Sequence, residues 1–265
     1  MTRTLKWTLL APYMLWLVVF VIIPIALIAW NSFFDLEGRL TLDNFVRFFS
    51  PTYLKMSFIS IWYAFLITFI SLLVAYPTAY VLSRTRHKQL LLLLIILPSW
   101  VNLLLKTYAF MGIFGMYGLV NAFLSLFGIP PQEILFTDFS FIFVSVYIFI
   151  PFMILPIYNA MEEMPRGLIE AAQDLGASQW TVLRRVIWPL TLDGVKTGIQ
   201  AVFIPSLSLF MITRLIAGNR VITLGTAIEQ HFLVTQDWGM GATIAVVLVA
   251  MMVLTMRFAQ TTPKA

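Results

Sequence analysis

No cysteine occurs in this 265-residue chain, which excludes disulfides, thiolate metal sites and a cysteine nucleophile. Histidine is almost as scarce: His87 and His231 stand in separate segments, whereas a histidine metal site needs ligands grouped together. Charged residues make up 11% of the chain, against about 25% in a soluble domain, so most of its surface cannot face water. None of the 13 glycines is followed by lysine, which rules out the G-x-x-x-x-G-K-[ST] loop that cradles nucleotide phosphates. The G-x-S-x-G elbow and the H-E-x-x-H helix are missing too, and with them the usual hydrolase and zinc-protease constellations. Lysine and arginine outnumber aspartate and glutamate by 17 to 12, but they flank apolar segments instead of forming the single basic face that nucleic acid requires.

Apolar sequence, by contrast, is abundant: 60% of residues are hydrophobic and the mean hydropathy is +0.91. A bilayer core about 30 Å thick takes roughly 20 residues per helical span. The apolar runs therefore predict an all-α integral membrane protein with six transmembrane helices, near 9–30, 56–82, 90–112, 139–160, 194–213 and 241–258, in one domain over 1–265. The first run follows Arg3 and Lys6 like a secretory leader, but it is too long and lacks a small-x-small site before Asn31, so it is read as a retained span. Arg84, Arg86, Lys88, Arg166, Arg184, Arg185, Lys196, Arg257 and Lys264 fall on the same side as Arg3 and Lys6; Arg39, Arg47, Lys55, Arg214 and Arg220 fall on the other. Because cations are retained inside, both termini are expected in the cytoplasm. Pro24, Pro77, Pro98, Pro151, Pro156 and Pro205 fall within the spans, where kinks suit a transporter but also occur in ordinary membrane helices.

The longest cytoplasmic connection, 161–189, reads as two short helices. Pro165 suits a first helical position, and Leu168, Ile169, Ala172 and Leu175 form an apolar stripe. Gly176 would end that helix and Ser178 would cap a second, which Pro189 would stop. Glu170 and Asp174 lie four residues apart and share a face. On these features alone the connection could equally lie flat on the membrane as an amphipathic segment.

Glu170, Ala171 and Ala172, then Gly176 and finally Pro189 match a particular spacing: Glu-Ala-Ala, three residues, Gly, nine residues, Ile-x-Leu-Pro. Val186 and Trp188 replace the isoleucine and leucine. In this the chain resembles the permeases of bacterial ABC importers. Further segments, Leu97 to Asn102, Tyr147 to Pro156, Glu170 to Ser178 and Asp237-Trp238 before Gly241-Ala242, are similar to the spermidine/putrescine permease family. The resemblance implies a type I, MetI-like permease fold in a bacterial inner membrane, with Glu170, Ala171, Ala172, Asp174, Gly176 and Pro189 coupling it to an ATPase dimer. ATP and Mg would then belong to that ATPase, and this chain would hold no cofactor and be no enzyme itself. It further implies a second permease subunit and an extracytoplasmic polyamine-binding protein.

A polyamine passage should offer carboxylates and aromatic faces. Candidates are Trp100, Asn102, Tyr108, Tyr147, Phe210, Glu229, Asp237 and Trp238, with Asp138 beside them. The aromatics also suit interfacial belts, and Glu229 and Asp237 also suit a solvated outer loop. Ser99, Asn102 and Lys106 form a polar stripe within the third span, placed to line the pathway. Lys106 and Arg214 would repel a cation, which argues for an anion-transporting relative; an ABC permease for ferric ion, sulfate or an opine-like compound is the alternative. A secondary transporter or membrane enzyme is a further alternative.

Overall fold

A computed structural model describes residues 3–218 and 220–259; Lys264 lies outside them. Helices dominate the described residues. Helix α1 (Arg3–Leu17) passes through a π-turn at Val18–Ile22 into α2 (Ile23–Asn31), followed by the short α3 (Asp43–Phe48) and the long α4 (Pro51–Arg84). Helices α5 (Lys88–Ile96), α6 (Leu103–Phe114), α7 (Leu119–Ser125) and α8 (Asp138–Glu162) come next. The 161–189 connection holds α9 (Arg166–Asp174) and α10 (Gln179–Val182), and a second π-turn leads into α11 (Trp188–Leu207). Helices α12 (Met211–Ile216), α13 (Leu224–Glu229) and α14 (Trp238–Ala259) complete the chain. Among the described residues, five stretches are long and apolar enough to cross a membrane: Leu10–Asn31, Pro51–Arg84, Leu103–Ser125, Asp138–Glu162 and Trp238–Arg257. Helix α11, with 20 residues, carries Asp193 and Lys196 and begins ahead of the expected fifth span.

The expected third span is not one helix. Pro98 draws the end of α5 into a 3₁₀ turn over Leu97–Trp100, and Val101 is extended at ψ 138°. Asn102 then starts α6 as its N-cap, its side-chain oxygen accepting the Leu104 amide at 2.8 Å. A proline lacks the amide that would carry the helix onward, and asparagine is a preferred cap. The Ser99–Asn102–Lys106 stripe therefore does not exist, because its members do not share a helix.

The chain forms two compact units, Met1–Met56 with Ala227–Met251, and Ser57–Thr226 with Met252–Ala265. In the second, α8 and α11 make the most extensive helix pair. Small residues permit it: a Cβ built at Gly194 would stand 2.6 Å from that of Ala160, and one at Gly198 would stand 2.7 Å from the Met153 sulfur. Gly-x-x-x-Gly is the spacing at which membrane helices approach backbone to backbone, a signal legible in the sequence but absent from the expectations above. Ser60, Ala64, Ser71, Ala75 and Ala79 give α4 a similar small-residue buried face. The Ser60 hydroxyl accepts the Leu224 amide at 2.8 Å, tying the start of α13 to α4.

In the first unit α2 buries none of its residues. Asn44 is buried and donates to the Phe34 carbonyl at 2.8 Å, while Thr243 donates to the Ser32 carbonyl at 3.2 Å. These bonds satisfy the Ser32 and Phe34 carbonyls of the irregular 32–42 connection.

Candidate functional site

The connection between α8 and α11 is built by local chemistry. Pro165, at ψ 121°, is the N-cap of α9 and not its first helical residue, a shift of one position. Gly176 adopts φ +79°, a left-handed conformation that glycine reaches without steric cost. Its amide donates to the Gln173 carbonyl at 2.8 Å and that of Ala177 to the Ala172 carbonyl at 3.1 Å, the paired bonds of a Schellman ending. The glycine's place four residues after Ala172 thus has a structural cause: it lets the chain reverse and close on Ala172. Ser178 caps α10, accepting the Thr181 amide at 3.3 Å.

Pro189 does not stop the second helix. It occupies the first turn of α11, where no amide donor is needed, and the π-turn at Leu183–Ile187 leads the chain into it without a break. Trp188 packs against the Tyr76 ring with centroids 5.0 Å apart.

The expected stripe splits in two. Ile169 and Ala172 turn inward and pack with Ala177, Leu183 and Val186 against the core. Leu175 and Trp180 are 89% and 69% exposed, with Leu168, Glu170, Ala171 and Asp174 also on the surface. A two-helix surface that exposes large apolar side chains marks a protein- or membrane-binding face. Beside it lies a cleft of about 650 Å³ whose lining includes Arg84, Arg86, Lys88, Glu162 and Glu170. Lys88 and Glu162 form an ion pair across it.

The pathway candidates are scattered. Trp100, at the end of the 3₁₀ turn, and Tyr108 on α6 are both exposed. Tyr147 lies edge-on to Phe110 with centroids 4.9 Å apart, and Phe210 precedes α12. Asp138 accepts a hydrogen bond from the Tyr63 hydroxyl at 2.8 Å. Glu229 ends α13, and Trp238 packs edge-on to Phe232.

Asp237 departs from the reading of a solvated outer loop, because it is 5% exposed. Its carboxylate accepts the Met240 amide at 3.1 Å and pairs with Arg47 at 3.4 Å, so it caps α14 and anchors α3. Nearby, the Tyr53 hydroxyl lies 2.8 Å from His231 Nε2. Burial holds the His231 ring below its usual pKa, Asp237 opposing that effect and Arg47 adding to it.

The family described as binding-protein-dependent transport system inner membrane component matches residues 69–261. The chain is 35% identical over 249 residues to the spermidine/putrescine transport system permease protein PotB of Haemophilus influenzae, covering 90% of this chain and 87% of that protein. It is also 35% identical over 247 residues to PotB of Escherichia coli, covering 89% and 90%. A solved bacterial alginate ABC transporter, in complex with an alginate pentasaccharide-bound periplasmic protein, superposes with a TM-score of 0.79 over 96% of this chain and 92% of the other. At 17% identity that likeness concerns the fold. An all-helical membrane chain with this fold, this connection and these relatives is an ABC importer permease, and it belongs to the family of binding-protein-dependent transport system inner membrane components.

Proposed function

We propose that the chain is one permease subunit of a polyamine importer, carrying spermidine or putrescine into the cytoplasm as a separate ATPase dimer closes and opens beneath it. The observation that carries the coupling role is the exposed face of α9 and α10, with Glu170, Leu175 and Trp180 in solvent beside the Schellman turn. Small Ala171 leaves room for close approach and Gly176 holds the turn. The cargo reading is supported by the two PotB relatives, whose names state spermidine/putrescine transport. Within the second unit, Tyr147 and Phe210 are proposed to line the passage as aromatic faces that attract an ammonium cation. Chain 1–265 would act as a single permease domain, with both termini and the 161–189 connection in the cytoplasm. A second permease subunit would supply the other half of the passage. An external binding protein would deliver the polyamine, as the periplasmic partner of the solved alginate transporter suggests by analogy.

The test is reconstitution with the second permease, the ATPase and the binding protein in vesicles. Spermidine or putrescine should stimulate ATP hydrolysis and accumulate inside, and sulfate or ferric ion should do neither. Stimulation by an anion alone would refute the cargo. Glu170→Ala and Gly176→Val should leave membrane insertion intact and abolish uptake, whereas normal uptake in both would refute the coupling role.

A further inference from the structure

An apolar groove of about 550 Å³ lies between the C-terminal end of α4 and α5, walled by Pro77, Val81, Leu82, Leu91, Leu94 and Ile95. Two threonines also line it, Thr78 and Thr85, but their hydroxyls donate to the Val74 and Val81 carbonyls of their own helix at 2.7 and 2.8 Å. The groove therefore offers a ligand almost nothing but hydrocarbon. From Pro77 to Thr85 it runs about 12 Å at the helical rise. Thr85 also borders the cleft that contains Arg84, Arg86 and Lys88, so the apolar trough opens directly onto a basic rim.

The rim's charges are only partly satisfied from within. Lys88 is paired with Glu162. Among the described residues neither Arg84 nor Arg86 has a carboxylate within ion-pair distance, and the Arg84 guanidinium is held over the Tyr80 ring at 4.4 Å. Glu170 faces the same cleft from α9 and does not neutralise both arginines. A free anion would account for the rim and not the trough; a neutral lipid would account for the trough and not the rim.

We propose that groove and rim together bind one anionic phospholipid, an acyl chain lying between α4 and α5 and the phosphate resting against Arg84 and Arg86. Basic pockets beside membrane helices are where phospholipid headgroups are recognised, and the neighbouring hydrocarbon layer supplies the chain. The site adjoins Glu170, so an occupied rim places a negative headgroup next to the face proposed to couple with the ATPase. The proposal rests on the membrane placement of α4 and α5 and not on the cargo, so loss of polyamine uptake and loss of lipid would be read separately.

The purified importer complex should be titrated in detergent with dioleoylphosphatidylglycerol and with dioleoylphosphatidylcholine, and bound lipid counted by native mass spectrometry. The wild type should prefer the anionic lipid by about thirtyfold, the order expected of two cations near a charged headgroup. The double variant Arg84→Gln with Arg86→Gln should bind both lipids equally. Val81→Trp, which fills the groove, should lose both, and inorganic phosphate should displace neither. Equal binding by the wild type, an unchanged preference in the double variant, or displacement by phosphate would overturn the proposal. So would a photo-crosslinker at Leu94 that captures a protein of the complex instead of lipid. The three substituted residues are exposed, so the variants should insert as the wild type does.

Discussion

Asp237 serves α14 in two ways that substitution can separate. Asp237→Asn removes the pair with Arg47 and keeps a side chain able to cap, whereas Asp237→Ala removes both. The alanine variant should be less stable than the asparagine variant by about 1 kcal/mol, the usual worth of a cap, as read by thermal unfolding in detergent. His231 makes the same unit sensitive to acid. Its unfolded ring titrates near 6.5 and its folded ring below that, so the unfolded chain takes the proton first. Stability is then complete above about pH 6.5 and declines as pH falls through that value. The melting temperature should drop between about pH 7.5 and about pH 5.5, and His231→Gln should flatten the change. At Gly176 the left-handed φ of +79° would cost alanine about 1 kcal/mol. Gly176→Ala should therefore loosen α9 and α10 without unfolding the spans, which amide hydrogen exchange over 166–182 would register.

Among the elements, α8 and α11 depend on the absence of side chains. Gly194→Leu would force the Ala160 contact apart, and overpacking of this kind typically costs about 1–3 kcal/mol. Thermal unfolding and faster exchange along α11 would reveal it. What could be read from sequence followed whether an element obeys local rules. Gly176 and Ser178 were legible because a left-handed turn and a cap each need one residue of the right kind. The break after Pro98 was hidden, since the apolar run continues across it and hydropathy is blind to a cap such as Asn102. Pro189 misled for the opposite reason: proline stops a helix only where a donor is needed, and its position in the first turn became plain only with the π-turn before it. The burial of Asp237 could not be foreseen, because its partner Arg47 lies 190 residues earlier.

For the whole molecule, composition pointed to a membrane protein and the Glu170 connection to the ABC importer permeases, the family that the relatives show. The exposed apolar groups of that connection predict their own covering. Trp180 fluorescence should shift to the blue when the ATPase is added to the permease pair. Trp180→Ala should weaken ATPase retention by about tenfold or more, as loss of an aromatic anchor commonly does. Retention equal to wild type would remove Trp180 from the interface. The helix pairing at Gly194 and Gly198 has a mechanical side as well. Both α8 and α11 emerge from the 161–189 connection, and at Gly194 and Gly198 they meet closely, with the Ala160, Met153 and Pro156 side chains against the glycine backbone. A push on the connection would pass directly from one helix to the other at this close contact. Under the proposed coupling, the α8 arm, about 37 Å long from 25 residues at the helical rise with Pro151 and Pro156 inside it, would carry a tilt of the connection toward the far end of the helix.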